Sequence, residues 1–175
     1  IGQVLGDLGA EVIKVEGPEG DLARGIQPRG PQGDSAMYVC NNRNKRSVCI
    51  DLKQPADKLV FESLVREADV YIQNFRPGTA ERLGAGPQQL HALNPGLIYC
   101  SISGFGSSGP YVDRPSYDSV AQALSGFLSV VVDPDRPRFL GPALADAITG
   151  IYAAYGVLGA LFERTRTHRG RVVEV

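Results

Sequence analysis

An α/β fold with an open parallel sheet and helices on both faces is what this sequence predicts, and three observations carry the expectation. Strand-like runs alternate with helix-like runs along the whole chain. Runs such as VYIQN and LIYCSIS are short and apolar throughout, as strands are when both sheet faces are covered. The loops after these runs gather Gly, cations and amides, the composition that binds ligands beyond the carboxyl ends of such strands.

The elements follow in order. IGQVLGDLGA reads as a short helix ending at Gly9, followed by a strand over Glu11–Glu16. A Gly/Pro-rich loop from Gly17 to Gly33 carries Asp21, Arg24 and Arg29. The basic run Arg43, Asn44, Lys45, Arg46 then enters a strand over Ser47–Leu52, and Pro55 opens a helix to about Glu67. A strand at Val70–Gln73 leads to the loop Asn74–Gly78, with short helices over Thr79–Leu83 and Pro87–Leu93. A strand over Leu97–Ser103 ends in the Gly-rich loop Gly104–Pro110, and a helix from about Ser116 to Leu128 follows. A long helix and a strand at Arg171–Val175 close the pattern.

That long helix holds the most informative residue. From Phe139 to Phe162 the only charge is Asp146. A buried carboxylate without a partner is costly, so it is kept for a reason or it reaches water. Leu144, Ile148, Ile151, Tyr155, Leu158 and Phe162 recur at gaps of three and four, which predicts the buried face. Asp146 lies off that face, in line with Gly150, Ala153, Ala154 and Val157, where small residues let a backbone or a flat ligand approach. It sits about one turn from the helix start, where the dipole favours a negative charge. An anionic Asp beside such a surface is a candidate nucleophile or base; the alternative is a carboxylate satisfied by backbone N–H groups. The stretch is long enough to span a bilayer, yet its Gly, Ala, Thr149 and Pro142 and the patterning around it favour a core helix.

Composition fits an ordinary enzyme domain. The 175 residues are 43% hydrophobic and 21% charged with net charge -1, so bulk charge suggests neither a nucleic acid nor a membrane surface as partner. Cys40, Cys49 and Cys100 are odd in number and form no CxxC pair, which points to reduced, buried thiols in a cytoplasmic setting. His91 and His168 have no ligand spacing, so zinc or a Ser-His-Asp triad has little material, and no metal is expected. Gly104–Gly109 matches G-x-G-x-x-G after a strand, but Pro110 and Pro115 delay the helix that a dinucleotide site needs. Both ends read as cut, since the chain opens inside a helix and stops inside a strand.

Six ordered segments, LGDLGAEVIKVEGPEGD, NKRSVCIDLKQP, ADVYIQNFRPGTAERLG, LNPGLIYCSISGFGSSGP, YDSVAQALSG and GPALADAITGIYAAYGVLGALFERTRTHRGRVVEV, together resemble class III CoA-transferases. That family includes formyl-CoA transferase, carnitine-related CoA-transferases and α-methylacyl-CoA racemases. The resemblance implies that residues 1–175 are part of a large, Rossmann-like, CoA-binding domain. It also implies that the small domain and a C-terminal return segment lie outside them, and that the fragment alone is inactive. It places the nucleophile at Asp146, which would pass the acyl group through a mixed anhydride and hold CoA as an aspartyl thioester. It places CoA contacts at Ile50, Asp51, Leu52 and Lys53, at Asn74, Phe75, Arg76 and Arg82, and at Ser116, Tyr117 and Asp118. The implied substrates are an acyl-CoA and a small carboxylate, and the implied assembly is an interlocked homodimer.

Two positions depart from relatives: Gly17 stands where some carry Arg, and Pro115 stands where formyl-CoA transferase carries Lys. Both weaken assignment to the formyl-CoA branch. Tyr117 replaces the His that racemases use for the second proton transfer, and an ordinary phenol is poorly matched to that task. Transferase is therefore the expectation; a racemase or epimerase, or a CoA-binding or dimerisation module without turnover, is the alternative.

Overall fold

Five parallel strands organise the chain, which we describe from a computed structural model at residues 1–31 and 33–175. Two units, Ile1–Ala68 and Asp69–Val175, are each taken by themselves. The α/β class and the parallel strands agree with the sequence expectation. The strands form two sheets, of two and three strands, where one was expected.

In the first unit, helix α1 (Gly2–Asp7) turns into strand β1 (Val12–Glu16) through Gly9, whose φ of 98° suits only glycine. The Gly9 N–H reaches the Gly6 carbonyl and the Ala10 N–H reaches Leu5, a Schellman ending. A 3-10 turn at Leu22–Gly25 follows. Helix α2 (Ala36–Asn42), which the sequence pattern does not predict, starts at Ser35, whose Oγ accepts the Tyr38 N–H at 3.3 Å. Strand β2 spans Lys45–Cys49 rather than Ser47–Leu52, because it pairs in register with β1 from Val12↔Lys45 to Glu16↔Cys49. Half of the basic run is therefore strand. Helix α3 (Pro55–Glu67) has its predicted bounds and buries Phe61 and Val65.

The second unit has strand order β3-β4-β5, from β3 (Val70–Gln73), β4 (Ile98–Ser101) and β5 (Arg171–Glu174). Central β4 buries Ile98, Tyr99 and Cys100 completely, which is why LIYCSIS is apolar without alternation. Helices α4 (Thr79–Arg82) and α5 (Pro87–Leu93) lie between β3 and β4. The helix expected over Ser116–Leu128 is two, α6 (Asp118–Leu124) and α7 (Phe127–Val131), because Gly126 adopts a φ of 80° between them.

Helix α8 (Leu144–Thr167) corrects the expected core face. Ala153, Ala154, Val157 and Ala160 are buried, whereas Ile148, Ile151, Tyr155, Leu158 and Phe162 are exposed. Packing distance explains the inversion. A Cβ at Gly156 would stand 2.7 Å from Val173 Cγ1 of β5, so only a small-residue face fits this approach. At 24 residues, with mean hydropathy 1.4 in its most apolar window, α8 is long and apolar enough to cross a membrane by length and composition. Its last turn is tied to the sheet instead: Arg164 donates to the Gly96 carbonyl at 2.9 Å and to Asp69 Oδ1 at 2.6 Å. The expectation of buried thiols holds for Cys100 only, since Cys40 and Cys49 lie at the surface.

Candidate active site

Parallel strands deliver their carboxyl ends to one edge, and in the second unit the last residues there are polar: Gln73, Ser101 and Glu174. Gln73 Nε2 donates to Ser101 Oγ at 2.8 Å, while its Oε1 accepts the Phe75 N–H at 2.6 Å. Ser107 Oγ, in the Gly-rich loop, donates to Glu174 Oε2 at 3.0 Å. Together with Phe75, Arg76, Ser103 and Gly106 they line a cavity of about 190 Å³. Gly106 holds φ 78° and Gly78 holds φ 77°, so both loops need glycine where they turn. At the cavity wall the Tyr99 hydroxyl donates to the Ala85 carbonyl at 3.0 Å, and burial pushes its phenol up to about 12. Of the four loop residues proposed for CoA, Phe75 and Arg76 line this cavity. Asn74 is exposed beside them, and Arg82 turns its guanidinium to Thr79 Oγ1 at 2.8 Å.

Asp146 stands in the first turn of α8 and is exposed as a residue, while its carboxyl lies close enough to neighbouring atoms to lose part of its solvation. It lies ten residues before Gly156, which is about 15 Å along the helix axis. Its backbone N–H donates to Asp118 Oδ1 at 3.1 Å, an N-cap supplied from another helix. The other Asp118 oxygen accepts from Gln122 Nε2, which also reaches the Pro142 carbonyl at 3.4 Å. Gln122 is buried, and its Oε1 has no hydrogen-bond partner among the described residues. Lost solvation, and then the Asp118 charge, raise the Asp146 pKa above its ordinary value. The N–H of Asp146 is held by Asp118, and among the described residues no hydrogen bond to its carboxylate is found.

Tyr117 and Ser116 sit at the other end of this cluster. Tyr117 takes the N-cap position of α6 and leaves its ring 75% exposed, so it is not a core aromatic. Ser116 abuts the glycine loop so closely that a Cβ on Gly104 would lie 2.0 Å from Ser116 Cβ. The loop and the Ser116–Asp118 segment are therefore one packed unit.

In the first unit, Ile50 is buried and donates its N–H to the Glu16 carbonyl at 2.9 Å. The Asp51 N–H donates to Asp57 Oδ2 at 2.8 Å, Asp51 Oδ1 accepts the Lys53 N–H at 3.0 Å, and the Lys53 side chain is exposed. The Asp51–Lys53 turn is thus held by carboxylates while Lys53 is presented outward. Glu16 forms the strongest electrostatic centre of this unit. It accepts from Arg24 Nε at 3.1 Å and Nη2 at 2.9 Å, from Ser47 Oγ at 2.8 Å, and from the Tyr38 hydroxyl at 3.2 Å. The Arg24 guanidinium leads in holding its carboxyl down to about 2, against the opposing cost of burial. Asp21 caps the 3-10 turn and pairs with Lys14. Asp21 and Arg24 are thereby absorbed into structure. Among the described residues no cluster of His, Cys, Asp or Glu is placed to hold a metal ion.

The family model described as CoA-transferase family III matches residues 1–175. The chain belongs to that family. It is 42% identical to succinyl-CoA–D-citramalate CoA-transferase of Chloroflexus aurantiacus over 176 residues, covering 99% of this chain and 44% of that protein. It is 43% identical to succinate–glutarate CoA-transferase of Agrobacterium fabrum, covering 99% and 46%. The crystal structure of a CAIB/BAIF family protein from Brucella suis superposes with TM-score 0.92 at 42% identity, covering 98% of this chain and 47% of that one. The chain thus spans about half the length of the relatives it matches.

Four residues of this family III chain escaped the sequence reading. Gln73, Ser101 and Glu174 carried a usable signal, since each is the polar last residue of a short strand. Gln122 carried none, because its place depends on Asp118 and Pro142 meeting in space.

Proposed function

We propose that the full protein carrying this chain is a CoA-transferase that moves CoA from an acyl-CoA thioester to a carboxylate acceptor, with Asp146 as nucleophile. One observation carries the reading: Asp118 pins the Asp146 main chain while the Asp146 carboxylate stays open to an incoming molecule. Family membership over all 175 residues, and relatives named as CoA-transferases acting on succinyl-CoA or glutarate, support it. A carboxylate whose proton affinity is raised is also a better nucleophile in its anionic form.

The steps balance without water. An Asp146 oxygen attacks the thioester carbonyl, the C–S bond breaks, and CoA leaves as thiolate from a mixed anhydride. The thiolate attacks the aspartyl carbonyl, giving an aspartyl-CoA thioester and releasing the donor as a carboxylate. The acceptor carboxylate displaces CoA thiolate from that thioester to form a second anhydride. CoA thiolate then attacks the acceptor acyl carbon, which yields the new acyl-CoA and frees Asp146. Positioning supplies much of the rate, because the nucleophile is weak.

In this reading residues 1–175 are part of the large CoA-binding domain. Ile50, Asp51, Leu52 and Lys53 contact CoA from the first unit. Asn74, Phe75, Arg76, Arg82, Ser116, Tyr117 and Asp118 contact it from the second, and Ile50 does so through its main chain because its side chain is buried. The working form is a cytoplasmic homodimer.

The test uses the full-length protein, an acyl-CoA donor and a carboxylate acceptor. Quenching with hydroxylamine or borohydride is expected to modify Asp146, read by peptide mass spectrometry, and Asp146→Ala is expected to abolish transfer. An unmodified Asp146, with solvent deuterium entering the α-carbon, would assign a racemase instead.

A further inference from the structure

A second cavity, of about 310 Å³, lies in the first unit, lined by residues of α2, β1 and β2 and by Arg43. Four cations line it, Lys14, Arg43, Lys45 and Arg46, and among the described residues no carboxylate does. Three of the four already pair with acids: Lys14 with Asp21 and, at 3.9 Å, with Glu16, Arg43 with Asp7 and Arg46 with Glu11. Lys45 differs. Its ammonium is half-buried and donates to Asn42 Oδ1 at 3.0 Å, with no ion pair among the described residues. Burial, and then the neighbouring Lys14 charge, pull its pKa below the ordinary lysine value. Glu16 is already saturated by Arg24, Ser47 and Tyr38. A half-buried cation facing another cation is stabilised by an anion between them.

We propose that this cavity binds a phosphate-class oxyanion, with Lys45 as its principal ligand and Lys14, Arg43 and Arg46 around it. Only Lys45 lacks an acid partner among the described residues, so the uncompensated charge is a single one and favours a monoanionic phosphate. Two features oppose an anion, the Glu16 carboxylate 3.9 Å from Lys14 Nζ and the carbonyl end of α2. The carbonyl end is covered, since Arg43 Nη1 donates to the Cys40 carbonyl at 3.0 Å and Asn42 Nδ2 to the Tyr38 carbonyl at 2.9 Å. The site is separate from the proposed CoA contacts of this unit. Lys45 opens β2, whereas Ile50–Lys53 follow its other end, about 16 Å further along an extended chain. The proposal therefore stands whether or not Asp146 is the nucleophile.

The test measures binding of inorganic phosphate to the purified full-length protein by titration calorimetry at fixed ionic strength, with chloride as the control. Saturable binding in the millimolar range is expected, weakened at least tenfold by Lys45→Met and retained by Lys45→Arg. Arg46→Gln serves as a second, exposed variant and weakens binding several-fold. Competition by phosphoserine would identify the phosphate group of a larger molecule as the ligand, and its failure to compete would identify free phosphate. Absence of saturable binding, equal affinity in Lys45→Met, or displacement of phosphate by saturating CoA would overturn the proposal.

Discussion

Replacing Glu16 by Gln tests whether the first unit is held by a charge or merely by the shape of its side chain. Glu16 is 7% exposed and receives donors from Arg24, Ser47, Tyr38 and the Asp21 N–H. Its carboxyl falls from the ordinary 4.5 to about 2, a difference worth about 3 kcal/mol. Arg24, its main partner, is half exposed, so solvent screening reduces the expected contribution to about 1–2 kcal/mol. A depressed acid stabilises the fold above pH 4.5, and that stability is lost as pH falls toward 2. By pH 3 more than half of it is gone. Urea unfolding of wild type and Glu16→Gln at pH 7, 5, 4 and 3 isolates this group, because other carboxylates cancel in the difference. The variant is expected to be about 1–2 kcal/mol less stable at pH 7, with the gap closing to less than half at pH 3. A gap of equal size at both pH values would refute the electrostatic account and leave only packing.

Two further perturbations probe the second unit. Asp118→Asn removes the charge that helps raise Asp146, so the acid limb of the transfer rate is expected to move to lower pH; Asp118→Ala also removes the cap and costs about 1 kcal/mol in unfolding experiments. Gly156→Ala and Gly159→Ala form a matched pair in α8. Alanine gains about 1 kcal/mol of helix propensity at either site, but at 156 its Cβ meets Val173 Cγ1 at 2.7 Å, whereas at 159 it meets nothing within 4 Å. Gly159→Ala is expected to raise the unfolding midpoint and Gly156→Ala to lower it.

Legibility in the sequence followed the reach of each signal. Helix α3, strand β3 and helix α5 were placed to the residue, because proline starts or a polar end marked their bounds. Helix α2 escaped, since AMYVCNN has no apolar period and its start rests on one serine hydroxyl. The break at Gly126 depends on a backbone angle that an alternating pattern does not reveal. The face of α8 was read by size, and size misled. Large residues on a helix face mark a core only when the partner surface stands at ordinary distance, and β5 approaches closer than that.

That same close approach links the helix to the chemistry proposed for it. Asp146 was placed in line with the small residues, and the structure makes that stripe the packed one. The helix is therefore fixed at three points along its length: Arg164 ties its last turn to Gly96 and Asp69, Gly156 seats its middle on Val173, and Asp118 holds its first turn. The carboxylate stands beyond the middle contact, where the sheet no longer covers the helix and water or a substrate reaches it. A weak nucleophile gains most from an unchanging position, and a carboxylate on a freely swinging helix end would lose it. The small-residue face thus does for Asp146 what a loop could not. It brings the helix axis close to a rigid sheet while leaving the acid itself outside the packing. Loosening the Val173 contact should therefore slow transfer without touching any group that contacts substrate.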